Sequence, residues 1–541
     1  MKTPFFLLLL PCLLQADTHT PDIPCLQKRN IFTDLYAHAK PIINEVKQSL
    51  LQLSAPVLYE WIGDHPYAQT DAVVRFADYD ELCKQERQFI KQRKARVKHA
   101  LGKLFGKEVA WEQLPTIGIC CSGGGFRAMV LTLGFLKGLE DIGLLDCSMY
   151  MTGLSGSTWA IGPWIASQKL LGDYIDELPY KTEHGLEAVK DPALLHDLTG
   201  QLLSRALYGQ CLSMVDVTGP TIANTLLTDF GDDCLKVRLS ESHAYIENGC
   251  MPMPIYTAIT PNIEPYEWLE FTPFEVGSTY LKAYVPTWAY GRKFKYGRST
   301  NFAPEQSLGY FLGIFSYAFG IDVEDAVRHT SDKIAAFTSD LPHTLKNGIY
   351  TLINDLVNSP LDDVRLAPSS LPNFTYKTMT RPLNTDKTLT LIDGGIDFNL
   401  PVAPLLRQER NVDIIFCYDA SGSIEGCKNL HWLQDYVQAQ GLKFPPIDFE
   451  RADKEIMSIF KDENDPHCPV VVYFPRIKNN DYSTSFDPER CLDGYCATLN
   501  FHYDAAQIHE LMGLATHAVH QHKDTLHALV AQQITTNERL S

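Results

Sequence analysis

Three short stretches of this chain place reactive or charge-stabilising residues beside small neighbours. They are CSGGGFRAM (Cys121 to Met129), GLSGSTW (Gly153 to Trp159) and LIDGG (Leu391 to Gly395). A serine hydroxyl is a weak nucleophile, and to attack a carbonyl it must stand exposed on a tight strand-to-helix turn. Gly153 and Gly156 give Ser155 that room, although the last position of the usual G-x-S-x-G elbow is Ser157 here. Attack on an ester creates an oxyanion, which needs preorganised donors. The backbone N–H groups of Gly123, Gly124 and Gly125 can approach such an oxygen because no Cβ intervenes, and the helix they open favours negative charge at its start. Arg127, just inside that helix, can bind a phosphate by paired hydrogen bonds. The serine pattern alone is also met in glycine-rich turns with no catalytic role. The glycines fit neither a P-loop, which needs Lys-Ser/Thr after them, nor the G-x-G-x-x-G of a dinucleotide site.

Ser155 needs a base. None of the 17 histidines stands in a glycine-rich, strand-ending context. His509, His517, His520, His522 and His527 fall on the closing helix and read as a solvated face, with metal binding as the sharper alternative; HELMG lacks the second histidine of a zinc protease motif. Asp393 ends an apolar strand and precedes Gly394 and Gly395, so its carboxylate can reach a neighbouring strand's end and act as base directly. On its own, such an aspartate can simply turn a strand into a loop.

The elements that must carry these residues follow from local pattern. TIGICC reads as a buried strand, Arg127 to Leu145 as a core helix, SMYMTG as a strand and TWAIGPWIAS as a helix. Gly134 and Gly138 are spaced to let another backbone come close. This alternation predicts an α/β fold with a mostly parallel central sheet flanked by helices. The rhythm fades from roughly residue 190 to 385, which reads as an inserted cap containing SLGYFLGIFSYAFG and YGRKFKYGRS. It returns with the strands TLTLID and VDIIFCYDAS. A long amphipathic helix is expected from about Ala505 to Val530.

Composition bounds the rest. Hydrophobic residues make up 45% of the 541 and charged residues 21%, ordinary for a large buried core. A formal net charge of -18 argues against nucleic acid, whose phosphates select basic surfaces. Against that acidity, the helix from Glu81 to about Phe105 carries Lys84, Arg87, Lys91, Arg93, Lys94, Arg96, Lys98 and Lys103. It reads as a solvated face or as a contact for an anionic membrane. The run Phe5 to Leu14 is too short to span a bilayer and resembles a signal peptide over residues 1–16, so export is expected, with a cytoplasmic location as the alternative. Among 14 cysteines, Cys491 and Cys496 form the favoured local disulfide pair, and Cys120 and Cys121 read as packed thiols.

The three motifs, in this order, resemble the catalytic domain of group IV cytosolic phospholipase A2 and the related lysophospholipases, within the patatin-like superfamily. LIDGGIDFNLPVAPLLR is similar to that family's aspartate segment, which usually reads DSG followed by FNLP; Gly394 in second place is the patatin-like variant. ELCKQERQFIKQRK, WLEFTPFEVG, GLKFPPID, HCPVVVYF and ATLNFHYDAAQIHELM extend the resemblance over roughly residues 80 to 541. It implies a phospholipase domain over 81–541 preceded by a helical extension over 17–80. It implies a serine–aspartate dyad of Ser155 and Asp393, an oxyanion hole from Gly124 and Gly125, and a lipid phosphate held by Arg127. No metal or cofactor is implied. The substrate would be a phospholipid or lysophospholipid met at a membrane surface; a lipid transacylase, a broad lipid acyl hydrolase or a silent lipid-binding protein are the alternatives. Residues before 80 leave little room for the calcium-binding C2 domain of many members. The oligomeric state is left open.

Overall fold

The computed structural model describes residues 66–540 except 79–80, 187–191, 212, 214, 318–367, 380, 423 and 499. The expected leader, nearly all of the N-terminal extension and the later part of the expected cap therefore lie outside the described residues.

A ten-stranded mixed sheet organises the chain. In chain order its strands are β1 (Arg75–Phe76), β2 (Ile117–Cys121), β3 (Ser148–Gly153), β4 (Met253–Thr260), β5 (Glu267–Phe271), β6 (Glu275–Ser278), β7 (Ala283–Pro286), β8 (Ile414–Asp419), β9 (Ser458–Phe460) and β10 (Val470–Pro475). Their spatial order is β1-β7-β6-β5-β4-β3-β2-β8-β10-β9. The middle five, β4-β3-β2-β8-β10, run parallel. Their continuous apolar runs follow from cover on both faces: every residue of β2, β3, β4, β8 and β10 is buried. The flanking strands pair antiparallel; β4 to β7 are joined by hairpins, whereas β1 meets β7 from far away in the chain.

Four strands, β4 to β7, come from the stretch read as an inserted cap. That stretch is continuous with the sheet rather than inserted beside it. Its aromatics Trp268, Phe271 and Tyr284 are core residues, and their density hid the alternation that marks half-exposed strands.

Helix α1 (Lys84–Phe105) is capped by the Cys83 sulfur, which accepts from Glu86 N. Its Arg93 is buried and donates to the carbonyls of Leu145, Asp146, Ser148 and Gly249. This residue thus leaves the basic face and serves as a structural brace. Helix α2 (Gly125–Asp141) follows β2, and α3 (Gly156–Ser167) follows β3. Helix α4 (Leu308–Phe315) is entirely buried. The single closing helix expected from the pattern is two, α5 (Ala505–Gln521) and α6 (Lys523–Leu540), broken at His522. Helix α5 crosses α2 at its glycines. A Cβ on Gly134 would collide with Met512 O, and one on Gly138 would lie 2.8 Å from Val519 Cβ.

In YGRKFKYGRS, which carries Arg292, Lys293, Lys295 and Arg298, Arg292 is also buried, donating to the carbonyls of Tyr67, Thr70 and Ala303. Lys293, Lys295 and Arg298 stay exposed on the small hairpin Phe294–Ser299. Among the described residues no helix is long and apolar enough to cross a membrane, and no cluster of His, Cys, Asp and Glu is arranged to hold a metal ion.

Candidate active site

Strands β2 and β3 release their chains at adjacent carboxyl ends of the parallel sheet. Strand β8 continues the sheet on the other side of β2, so the crevice lies where the strand order turns, the usual ligand position in open α/β sheets.

Ser155 occupies the turn from β3 into α3 with φ 50° and ψ −125°. A non-glycine residue avoids that region at a cost on the order of 1–3 kcal/mol, and the surroundings hold it there. Ser155 N donates to Phe315 O at 3.1 Å, at the end of α4. The Ser157 hydroxyl accepts from Leu154 N at 2.8 Å and sits 2.8 Å from Cys121 O, tying the elbow to the end of β2. Ser157, the departure from the usual elbow, is thus a built-in staple.

Asp393 reaches Ser155 by a different route. Thr388–Leu391 pairs with Ser369–Pro372 in a separate ribbon, not within the main sheet as a buried strand. Beyond it, Ile392 bridges Ile259 near the end of β4. Asp393 N then donates to Tyr317 O at 3.0 Å. The segment through Phe315 and Tyr317, read from sequence as cap, therefore anchors the backbones of both residues. The buried Asp393 carboxylate accepts Gly395 N at 2.8 Å and lies beside the Ser155 hydroxyl. Burial pushes its pKa up to about 6, and these two neighbours partly offset the rise. A Cβ at Gly394 would sit 2.7 Å from Leu154 Cδ1 and 3.0 Å from the Trp268 ring, so glycine fits this second place without rearrangement.

The glycine loop faces this pair. Gly124 has φ +139° and Gly125 φ +64°, values that favour glycine. They are the cap and first residue of α2, so their N–H groups have no acceptor within the helix. The two turns interlock: a Cβ on Gly156 would overlap Gly125 O, and one on Gly123 would lie 2.7 Å from Ser155 Cβ.

Arg127 is buried behind the loop. Nε donates to Ala420 O at 2.8 Å, and Nη1 donates to Cys496 O and Thr498 Oγ1. Its Nη2 is buried, has no hydrogen-bond partner among the described residues and points at Gly124. Burial, with Arg476 nearby, brings the guanidinium pKa down to about 10, still protonated at neutral pH. Cys496 is disulfide-bonded to Cys491, the pair expected from spacing. The histidines of the closing helices serve elsewhere: His520 Nε2 meets Asp141, and His527 Nε2 meets Ile142 O. Sequence reading missed Asn399, Ser421 and Asp419, which surround Gly123 and Ala420. The signal available was a lone amide in the otherwise apolar FNLP.

An elbow serine beside a buried carboxylate, faced by a glycine loop at the carboxyl end of a parallel sheet, is an arrangement able to form and stabilise an acyl-serine. The chain belongs to the lysophospholipase catalytic domain family, whose model matches residues 117–433. It is 28% identical over 456 residues to the cytosolic phospholipase A2 epsilon of Mus musculus, covering 74% of this chain and 52% of that protein. It is 27% identical over 532 residues to the mouse cytosolic phospholipase A2 zeta, covering 83% and 61%. The chain thus spans between half and two thirds of these relatives' length. Its fold matches the human GIVD cytosolic phospholipase A2 with a TM-score of 0.71 at 22% identity, covering 86% of this chain and 69% of the other. The same enzyme in complex with methyl gamma-linolenyl fluorophosphonate matches at 0.66 and 23%, covering 86% and 66%.

Proposed function

We propose that the chain hydrolyses fatty acyl esters of phospholipids and lysophospholipids through an acyl-serine intermediate on a Ser155–Asp393 dyad. The observation that carries this reading is the Ser155 hydroxyl set beside the buried Asp393 carboxylate, close enough to favour its ionised form, on a turn packed against the glycine loop. Asp393 takes the hydroxyl proton as Oγ bonds to the ester carbonyl carbon. The carbonyl oxygen becomes an oxyanion facing the N–H groups of Gly124 and Gly125 at the positive start of α2. Collapse breaks the ester bond, and the proton on Asp393 passes to the leaving alkoxide. Water, deprotonated by Asp393, then attacks the acyl-serine and releases the fatty acid with Ser155 restored. The unpartnered Nη2 of Arg127 is assigned the lipid phosphate, a role supported by its fixed charge and its place beside the glycine loop. No metal or cofactor enters these steps.

The reading extends to a protein that works peripherally on a phospholipid surface. Export is a separate inference, resting on residues 1–16 alone; the matched relatives carry the name cytosolic. N-terminal sequencing of the mature protein separates the two locations.

The test of activity is release of fatty acid from mixed phospholipid and lysophospholipid vesicles, read by mass spectrometry with calcium present or chelated. Release that survives chelation and disappears in both Ser155→Ala and Asp393→Ala is the expected result. Release that persists in both variants overturns the dyad. Vesicle binding without release, in the unmodified protein, favours a silent lipid-binding protein instead.

A further inference from the structure

A loop of three consecutive glycines has no side chain to fix it, yet an oxyanion hole works only when its donors are held in place before the reaction. The catalytic residues themselves do not supply that restraint. Asn399 does. Gly123 N donates to Asn399 Oδ1 at 3.1 Å, and Asn399 Nδ2 donates to Gly123 O at 3.0 Å. One amide therefore grips both polar groups of one glycine, and the polarity of that glycine fixes which end of the amide faces which group.

The amide is itself held from behind. Asn399 Nδ2 also donates to Ser421 Oγ at 2.6 Å, and Ser421 Oγ accepts from Asn429 Nδ2 at 2.9 Å. Asn429 Oδ1 accepts Asn399 N at 3.1 Å. The Ser421 hydroxyl donates to Asp419, whose other oxygen accepts the Tyr473 hydroxyl at 2.9 Å. Ser421, Asp419 and Asn429 are buried at the end of β8 and the start of the following helix. The hydroxyl gives its single proton and fills both lone pairs, so every polar atom in the chain has a defined role. A Cβ on Gly123 would lie 2.7 Å from Asn399 Oδ1 and 2.7 Å from Ser155 Cβ, so this glycine is clamped between the amide and the nucleophile.

We propose that Asn399 is the positioning residue of the oxyanion loop: its two-way grip on Gly123 holds the N–H groups of Gly124 and Gly125 against the carbonyl that Ser155 attacks. This rests on the Ser155–Asp393 reading above. A second route for Asn399 exists in the structure, because a Cβ on Gly395 would lie 3.1 Å from its Oδ1 and Gly395 N binds Asp393. The two routes differ in their pH dependence. An effect through the glycine loop lowers turnover without moving the titration of Asp393, whereas an effect through Gly395 moves it.

The experiment measures steady-state hydrolysis of p-nitrophenyl butyrate and palmitoyl lysophosphatidylcholine by the full chain and by Asn399→Ala, Asn399→Asp, Ser421→Ala and Ser155→Ala. It is run across the pH range that brackets the Asp393 titration, with thermal unfolding of each variant. Losing the grip should lower kcat by about 100-fold or more in Asn399→Ala, the loss seen when an oxyanion donor is removed. KM should stay within about 3-fold, because the interaction strengthens only in the transition state. The acid limb should remain near that of the unmodified protein. Asn399→Asp keeps the shape but turns an acceptor toward Gly123 O, and should not rescue activity. A folded Asn399→Ala with kcat within about 3-fold of the unmodified protein overturns the proposal, and so does a fall accompanied by a displaced acid limb. Should Asn399→Ala not fold, Ser421→Ala decides: a fall in kcat at constant KM supports the clamp, and unchanged kcat overturns it. Full activity in Ser155→Ala would instead remove the dyad itself, a failure distinguishable from that of Asn399.

Discussion

Asp393 works against its own surroundings. Its carboxylate is buried, and desolvation raises its pKa to about 6 from the ordinary 3.8. A base must be ionised, so kcat/KM should fall as pH drops through about 6, and a pH–rate profile on a soluble ester checks this directly. Stability should move the other way. The native state binds the proton more tightly than the unfolded chain does, so this group's stabilisation is complete below the unfolded pKa and is lost as pH rises through the folded one. A rise of this size corresponds to roughly 3 kcal/mol. Asp393→Asn should therefore abolish hydrolysis while raising the unfolding free energy above pH 6, measured by urea denaturation. Equal or lower stability there would mean that the Ser155 and Gly395 contacts outweigh the cost of burying the charge.

At the scale of elements, the site is two turns pressed together at the carboxyl ends of β2 and β3. Gly156→Ala places a methyl group onto Gly125 O. Both turns must then move, and activity should fall by at least about 100-fold, the scale set by misplacing reacting groups. Assaying the variant against the unmodified protein at matched folded fraction separates this from simple unfolding. Farther along α2, Gly134→Ala drives a methyl group into Met512 O on α5. Overpacking of this kind should reduce stability by about 1–3 kcal/mol, read as a lower urea midpoint. The element that most changes the picture is α4. Its end accepts Ser155 N at Phe315, and Tyr317 just beyond accepts Asp393 N. A buried helix and the residues just beyond it thereby set the spacing between Ser155 and Asp393, although the two lie far apart in the chain.

At the scale of the whole molecule, the proposed work at a lipid surface has to be reconciled with a net charge of -18. Burial sorts its basic clusters. Arg93 and Arg292 each hold several carbonyls in the interior, so Arg292→Ala should destabilise the fold rather than weaken membrane contact. The exposed Lys293, Lys295 and Arg298, with Tyr296 at 68% exposure between them, form the surface part of the hairpin. Reversing these three charges should weaken binding to anionic vesicles by about 1 kcal/mol for each residue near the surface at low salt. Sedimentation with vesicles of rising anionic content checks it, and no change would remove the hairpin from the membrane-facing side.

Residue order alone points to a chemistry and its nearest supports. SGGGFRAM, GLSGSTW and LIDGG require no tertiary information to suggest a nucleophile, a donor loop and a base, because each depends on small neighbours adjacent in the chain. The strand–helix alternation around them, and the close approach at Gly134 and Gly138, are also local signals carried by periodicity and spacing. What lay beyond the sequence is what depends on partners distant along it. Strands β4 to β7 read as cap because strands buried on both faces lose their alternation. Arg93 reads as part of a solvated basic face because only the fold supplies the carbonyls that bury it. Asp393's pKa follows from burial among segments far from it, and Asn399 meets Gly123 only where the chain ends after β2 and the aspartate loop converge. The sequence nominates the proposed reacting groups, but only packing decides their separation, their dielectric and the restraint that holds them still.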